Sequence, residues 1–196
     1  MVIAYHAIWS AYGFWLPNDP RGSWSTEVWA SHLRPFGPAT KTTARRSLAN
    51  RPHDPALRWE MREALKFPTV RFTRPQIDCV ARGFADAIER FGIVLYACAI
   101  VWNHVHIVSQ RHREPIEFVA RVLKSAATRR LTDEGLHPLA RFAGADGRAP
   151  TPWAEGEWER YLNDDVGIIE TSQYVNENPP KHGLPAQNWD FVAPFV

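Results

Sequence analysis

Residues 93–110 read IVLYACAIVWNHVHIVSQ. The run from Ile93 to Trp102 is continuously apolar, yet it is about half the roughly 20 residues needed to cross a bilayer. Its length and unbroken hydrophobicity fit a buried strand. A tight reversal at Trp102 and Asn103 would return the chain over 104–110 as the neighbouring strand. With a side-chain period of two, His104 and His106 fall on one face, roughly 6.6 Å apart at about 3.3 Å per residue. Val105 and Ile107 fall on the other and bury against helices. Two imidazoles held in this way can converge on one divalent ion. The spacing alone fits two ordinary histidines of an amphipathic strand equally well, and His-x-His also occurs in zinc hydrolases. No His-Glu-x-x-His accompanies it.

The segment before the hairpin is helical. Thr73 is a cap, Pro75 suits the first turn and Gly92 is a stop signal. Ile77, Val80, Ala81, Phe84, Ile88 and Phe91 recur at helical spacing between them. After the hairpin, Pro115 opens a second helix with a predicted core stripe of Phe118, Val122, Ala126 and Leu131. Residues 134–156 read as a long loop, and 158–162 as a last strand. Asn163 or Asp164 then caps a final helix that ends at Pro179. At the start of the chain, 3–10 form a first strand with Tyr5, Ala7 and Trp9 on one face and His6, Ile8 and Ser10 on the other. The order is β-α-β-β-α-β. This predicts an α+β, ferredoxin-like core whose antiparallel sheet carries two helices on one face and leaves the other available for chemistry. Residues 11–24 read as an ordered loop. Residues 25–72, with five prolines and one short helical stretch near 57–65, read as an insertion or accessory lobe after the first strand.

The 196 residues predict a single domain over 1–196. Hydrophobic residues at 45% and charged residues at 22% fit an ordinary globular protein. A formal net charge of +2 excludes a histone-like tail and leaves local basic clusters to decide nucleic-acid binding. Cys79 and Cys98 read as buried thiols, not as a disulfide framework or a Cys-rich zinc site. The start MVIAYHAIWS lacks the pattern of a signal peptide, so a cytoplasmic location without membrane association is expected.

A second motif lies in the last helix, in ETSQYVNENPPKHGL over 170–184. Tyr174 and Asn178 are four apart and share a helix face. Ile168, Ser172 and Val175 lie on a more apolar neighbouring face. Alone, this fits a packed tyrosine and a helix-terminating asparagine. Beside the histidine strand it acquires chemistry. A phenol ionises near pH 10, so it needs activation to attack phosphorus near neutrality. A divalent ion between His104, His106 and Asn178 would orient the phosphate and offset its developing charge.

WNHVHIVS is similar to the His-hydrophobic-His motif of the HUH endonucleases. YVNENPPKHGL resembles the tyrosine, asparagine and proline segment of REP-associated tyrosine transposases, in the single-tyrosine transposase superfamily. AIWSAYGFWLPNDPRGSW resembles the start of one branch of these proteins. The resemblance covers residues 4–24 and roughly 73–184. It implies cleavage of single-stranded DNA through a 5′-phosphotyrosine, followed by strand transfer, at ends carrying hairpins. The metal histidines of the family fall on His104 and His106, its nucleophile on Tyr174 and its third metal-binding residue on Asn178, with Mg2+ or Mn2+ as the expected ion. The family often has proline just before the Asn-His of its first motif, where this chain has Trp102. The alternatives are an inactive DNA-binding regulator derived from a transposase and a metal-dependent phosphoesterase. Monomer and homodimer both remain open.

Single-stranded DNA binding calls for cations beside stacking surfaces. The expected phosphate contacts are Arg121, Lys124, Arg129 and Arg130, with Lys181 and His182 after the tyrosine helix. Arg45 with Arg46, and Arg111 with Arg113, are further basic pairs. Asp19 and Arg21 either pair with each other or touch DNA. His6 could approach the site from the first strand, but a structural role is expected.

Overall fold

The computed structural model describes residues 1–44, 48 and 50–195; Arg45 and Arg46 lie outside the described residues. Four strands form the sheet: β1 (Ala4–Ser10), β2 (Leu95–Ile100), β3 (His104–Gln110) and β4 (Trp158–Leu162). Their order is β2-β3-β1-β4 and every neighbouring pair is antiparallel. With α2 (Arg74–Phe91) between β1 and β2, and α3 (Ile116–Asp133) between β3 and β4, this is the expected ferredoxin-like α+β core. Before α2 come a 3₁₀ segment at Ser31–Phe36 and α1 (Pro55–Glu63). Leu33 and Met61 of these elements join Leu16 in a small apolar cluster separate from the main core.

The alternation in β1 sorts the two faces. Ala7 and Trp9 join Val105, Ile107 and Ile100 in the core beneath α2 and α3. His6, Ile8 and Ser10 point the other way, as do His104 and His106. Thr73 caps α2 with a capping box, its backbone N–H donating to Gln76 Oε1 at 2.8 Å, and Gly92 ends the helix in the left-handed conformation at φ 65°. Helices α2 and α3 touch closely at Gly83, where a Cβ would sit 2.7 Å from Ala127 Cα.

The buried stripe of α3 is Ile116, Val119, Ala120, Leu123, Ala127 and Leu131. Of the predicted stripe only Leu131 belongs to it. Phe118, Val122 and Ala126 lie at its half-buried margin, where Phe118 packs against Phe91 and His112.

The second face of the sheet is partly covered by α4 (Asp165–Asn176), capped by Asp164, which accepts from Gly167 N–H at 2.7 Å. It packs Ile168 and Val175 onto Ala4, Ala97, Ala99 and Val108. The alanines let the helix lie close to the sheet. The helix stops at Asn176, before Pro179. The prolines instead occupy the first turn of α5 (Asn178–Lys181), where a missing N–H costs nothing. The C-terminal segment closes the β2 edge. The Gln187 side chain accepts from Ile100 N–H at 2.9 Å and donates to Ile100 C=O at 2.7 Å, replacing a strand partner. Among the described residues no helix is long and apolar enough to cross a membrane.

Candidate active site

The β1–β3 register sets Ile8 opposite His106, which brings His6 diagonally onto the same face. The ring of His104 lies 4.8 Å from that of His106, centroid to centroid. His6 Nε2 is 3.2 Å from His106 Nδ1, with the rings 5.4 Å apart and nearly parallel. Tyr174 comes in from α4, its ring 5.8 Å from His106 and 6.1 Å from His6. Its 43% exposure leaves the side chain open to a substrate. The histidine pair and the tyrosine, 68 residues or more apart in sequence, therefore share one face of the sheet.

Aromatic rings frame this group. Phe14 stacks on His104 at 5.9 Å, and Trp158 meets His6 edge-on at 5.3 Å with Trp24 beyond it. The His182 ring lies 5.1 Å from His104, and Lys181 Nζ sits 5.3 Å over the Tyr174 ring while pairing with Glu177 at 2.7 Å.

Burial governs the protonation of the histidines. It pushes His104 down to about 3, helped by His182, and His6 down to about 4, helped by Arg160. His106 is held well below the usual imidazole range by burial and by its three histidine neighbours, His104, His6 and His182. The imidazoles are neutral at pH 7. His104 Nδ1–H donates to Asn103 Oδ1 at 2.7 Å, which leaves the Nε2 lone pair of a neutral ring free. A proton shared between His6 Nε2 and His106 Nδ1 can do the same for His106.

Neutral rings with one nitrogen anchored and the other available suit a divalent ion. Among the described residues, no three His, Cys, Asp or Glu side chains are grouped to hold one. Asn178 is buried. Its Nδ2 donates to Tyr174 C=O at 2.8 Å, so its amide oxygen is the end left over.

The other predicted DNA contacts lie elsewhere. Arg121, Lys124, Arg129 and Arg130 are on α3, whose core residues pack on the sheet face opposite the histidines. Lys124 Nζ donates to Gly156 C=O at 2.6 Å and pairs with Glu157 at 3.2 Å. Arg130 pairs with Asp86 at 3.6 Å and Glu134 at 3.4 Å. Arg121 lies over Phe118. Lys181 and Arg160 lie on the histidine side, the latter opposite His6 in the β1–β4 register. Arg160 carries no local sequence signal for this place, because only the pairing of β4 with β1 brings it there. Asp19 and Arg21 form a buried bidentate pair, with both contacts at 2.7 Å.

No family model and no curated protein matches the chain. Among solved structures, the chain is similar to a REP-associated tyrosine transposase bound to a REP hairpin. The TM-score is 0.47 at 11% identity, over 92% of this chain and 68% of that one. It is also similar to a candidate transposase from Deinococcus radiodurans R1. There the TM-score is 0.42 at 14% identity, over 91% of each chain.

Proposed function

We propose that the chain is a single-stranded DNA endonuclease and strand transferase that works through a tyrosine nucleophile. It acts as one nuclease domain over 1–196, with 25–72 as an accessory lobe. The observation that carries this reading is the convergence of Tyr174 on a pair of neutral, anchored histidines on the open face of the sheet. The resemblance of both motifs to REP-associated tyrosine transposases favours DNA ends with hairpins as substrate.

His104, His106 and Asn178 would hold Mg2+ or Mn2+, and the chemistry such an ion supplies is polarisation of the scissile phosphate. His6 positions His106 through their shared hydrogen bond. Asn178 ties its own position to the backbone of Tyr174. The Tyr174 oxygen attacks phosphorus, forming a Tyr–O–P bond as the P–O3′ bond breaks. The phenolic proton is released, and the departing 3′ oxygen takes up a proton to become a hydroxyl. Attack by a 3′ hydroxyl on the phosphotyrosine reverses the step and joins DNA without an external energy source.

Hairpin-bearing single-stranded DNA, incubated with the protein and Mn2+, should give a covalent adduct on a denaturing gel. Tyr174→Phe should abolish it. An adduct that persists in that variant rejects the nucleophile. Hydrolysis without any adduct favours a phosphoesterase, and binding without cleavage favours a regulator.

A further inference from the structure

A groove of about 360 Å³ opens beside the histidines, lined by Arg71, Phe72, Thr73, Arg74 and Trp102. Its floor is built to be rigid. Trp102 is fixed at the backbone, where its carbonyl accepts from Phe72 N–H at 2.7 Å. It is fixed at the side chain, where Nε1 donates to His182 C=O at 2.7 Å. The Arg71 guanidinium lies over the indole, 5.7 Å from its centroid, and is exposed. Of the two arginines, only Arg74 has a carboxylate partner among the described residues, Asp78 at 3.2 Å. The groove adjoins the candidate site through His182, whose ring packs on His104.

Resting on the DNA-cleaving reading above, we infer that this groove seats an unpaired nucleotide of the DNA strand next to the scissile phosphate, its base stacked with Trp102 and Arg71 and its phosphate on Arg71 and Arg74. A fixed aromatic face beside guanidinium groups is the combination that recognises single strands, because every base has a π-face and every linkage an anionic phosphate. Duplex DNA keeps its bases stacked on one another and offers nothing to the indole. Trp102 stands where related motifs often carry proline, and a proline has neither the ring face nor the N–H that holds His182.

The test is binding of labelled single strands in which an abasic site is moved one position at a time, for the full-length protein and for Trp102→Leu, Trp102→Phe and Arg71→Gln. In the wild type one abasic position should weaken binding roughly tenfold, the size of one stacking contact. Trp102→Leu should lose that position dependence, whereas Trp102→Phe, which keeps a ring but not the bond to His182, should retain it. Arg71→Gln should reduce the salt slope of binding by about 0.7, one single-strand phosphate. A merely structural Trp102 or Arg71 would move neither the abasic profile nor the slope. An abasic profile shared by wild type and Trp102→Leu, or an unchanged slope in Arg71→Gln, overturns the groove while leaving the Tyr174 adduct intact. A wild type that binds no single-stranded DNA overturns both.

Discussion

His6 shows how a single side chain gains its role from a neighbour 100 residues away. Its contact with His106 Nδ1 at 3.2 Å is buried, and it orients the ring that we propose binds metal. Partners that anchor the far nitrogen of a ligating histidine typically carry about 10–100-fold in metal affinity. His6→Phe should therefore weaken Mn2+ binding by about that factor, read as free Mn2+ by electron paramagnetic resonance without DNA. The metal-free protein should melt near the wild-type temperature, since Phe fills the same apolar space between Trp158 and Tyr174. Equal Mn2+ affinity in the two proteins would reduce His6 to a packing residue. Sequence alone does not reveal this. The alternation that sends His6 and His106 each to one face is local and readable. The register that sets Ile8 opposite His106 is a tertiary outcome. Trp102 and His182 are hidden for the same reason, because one hydrogen bond between distant segments makes them neighbours.

At the scale of elements, the strands and helices were legible because their signals are local: Thr73 and Gly92 bounding α2, the apolar run of β2, and the alternation of β3. What helix periodicity does not disclose is which neighbour takes up a polar group. Lys124 and Arg130 on α3 read as free cations, yet Glu157, Asp86 and Glu134 pair with them on the face away from the histidines. Two contacts between elements can be tested by stability. Gly83→Ala would drive a methyl against the backbone of Ala127, with 2.7 and 2.8 Å contacts to its Cα and N. Overpacking of that kind costs about 1–3 kcal/mol. It should outweigh the ~1 kcal/mol helix-propensity gain of alanine over glycine, so the urea midpoint should fall. A rise would mean that the helices can separate at little cost. Asp19 raises a sharper case. Its carboxylate is 1% exposed and pairs with Arg21 and Arg58, while Arg62 lies close enough to Arg21 for the two charges to oppose each other. Asp19→Asn leaves three guanidinium groups without that charge, and loss of one partner of a buried pair costs about 3–5 kcal/mol. Urea unfolding of this variant at neutral pH should show a loss of that order, and a loss under 1 kcal/mol would mean that solvent already neutralises the cluster.

Across the whole molecule, several buried histidines share one electrostatic consequence. In the folded chain His6 titrates at about 4 and His104 at about 3, and His106 and His137 are also lowered. Once unfolded, each returns to about 6.5. Between these limits the unfolded chain binds more protons than the folded one, so stability rises with pH through the window and is complete above about 6.5. It is lost as pH falls towards 3–4. At about 1.4 kcal/mol per pH unit per shifted group, His6 and His104 together would cost about 4 kcal/mol by pH 5, a large part of the 5–15 kcal/mol typical of a domain, and His106 works in the same direction. Burial raises Glu159, which works in the opposite direction, but it is a single, partly solvated group. Urea unfolding of the metal-free protein at pH 7.5, 6 and 5 should therefore show a steep acid loss. The double variant His6→Phe with His106→Leu should show a shallower one, having removed two of the groups that must be buried neutral. Parallel profiles for the two proteins would mean that water reaches the rings and that the open face of the sheet is wetter than the packing of Phe14, Trp158 and Tyr174 around them requires.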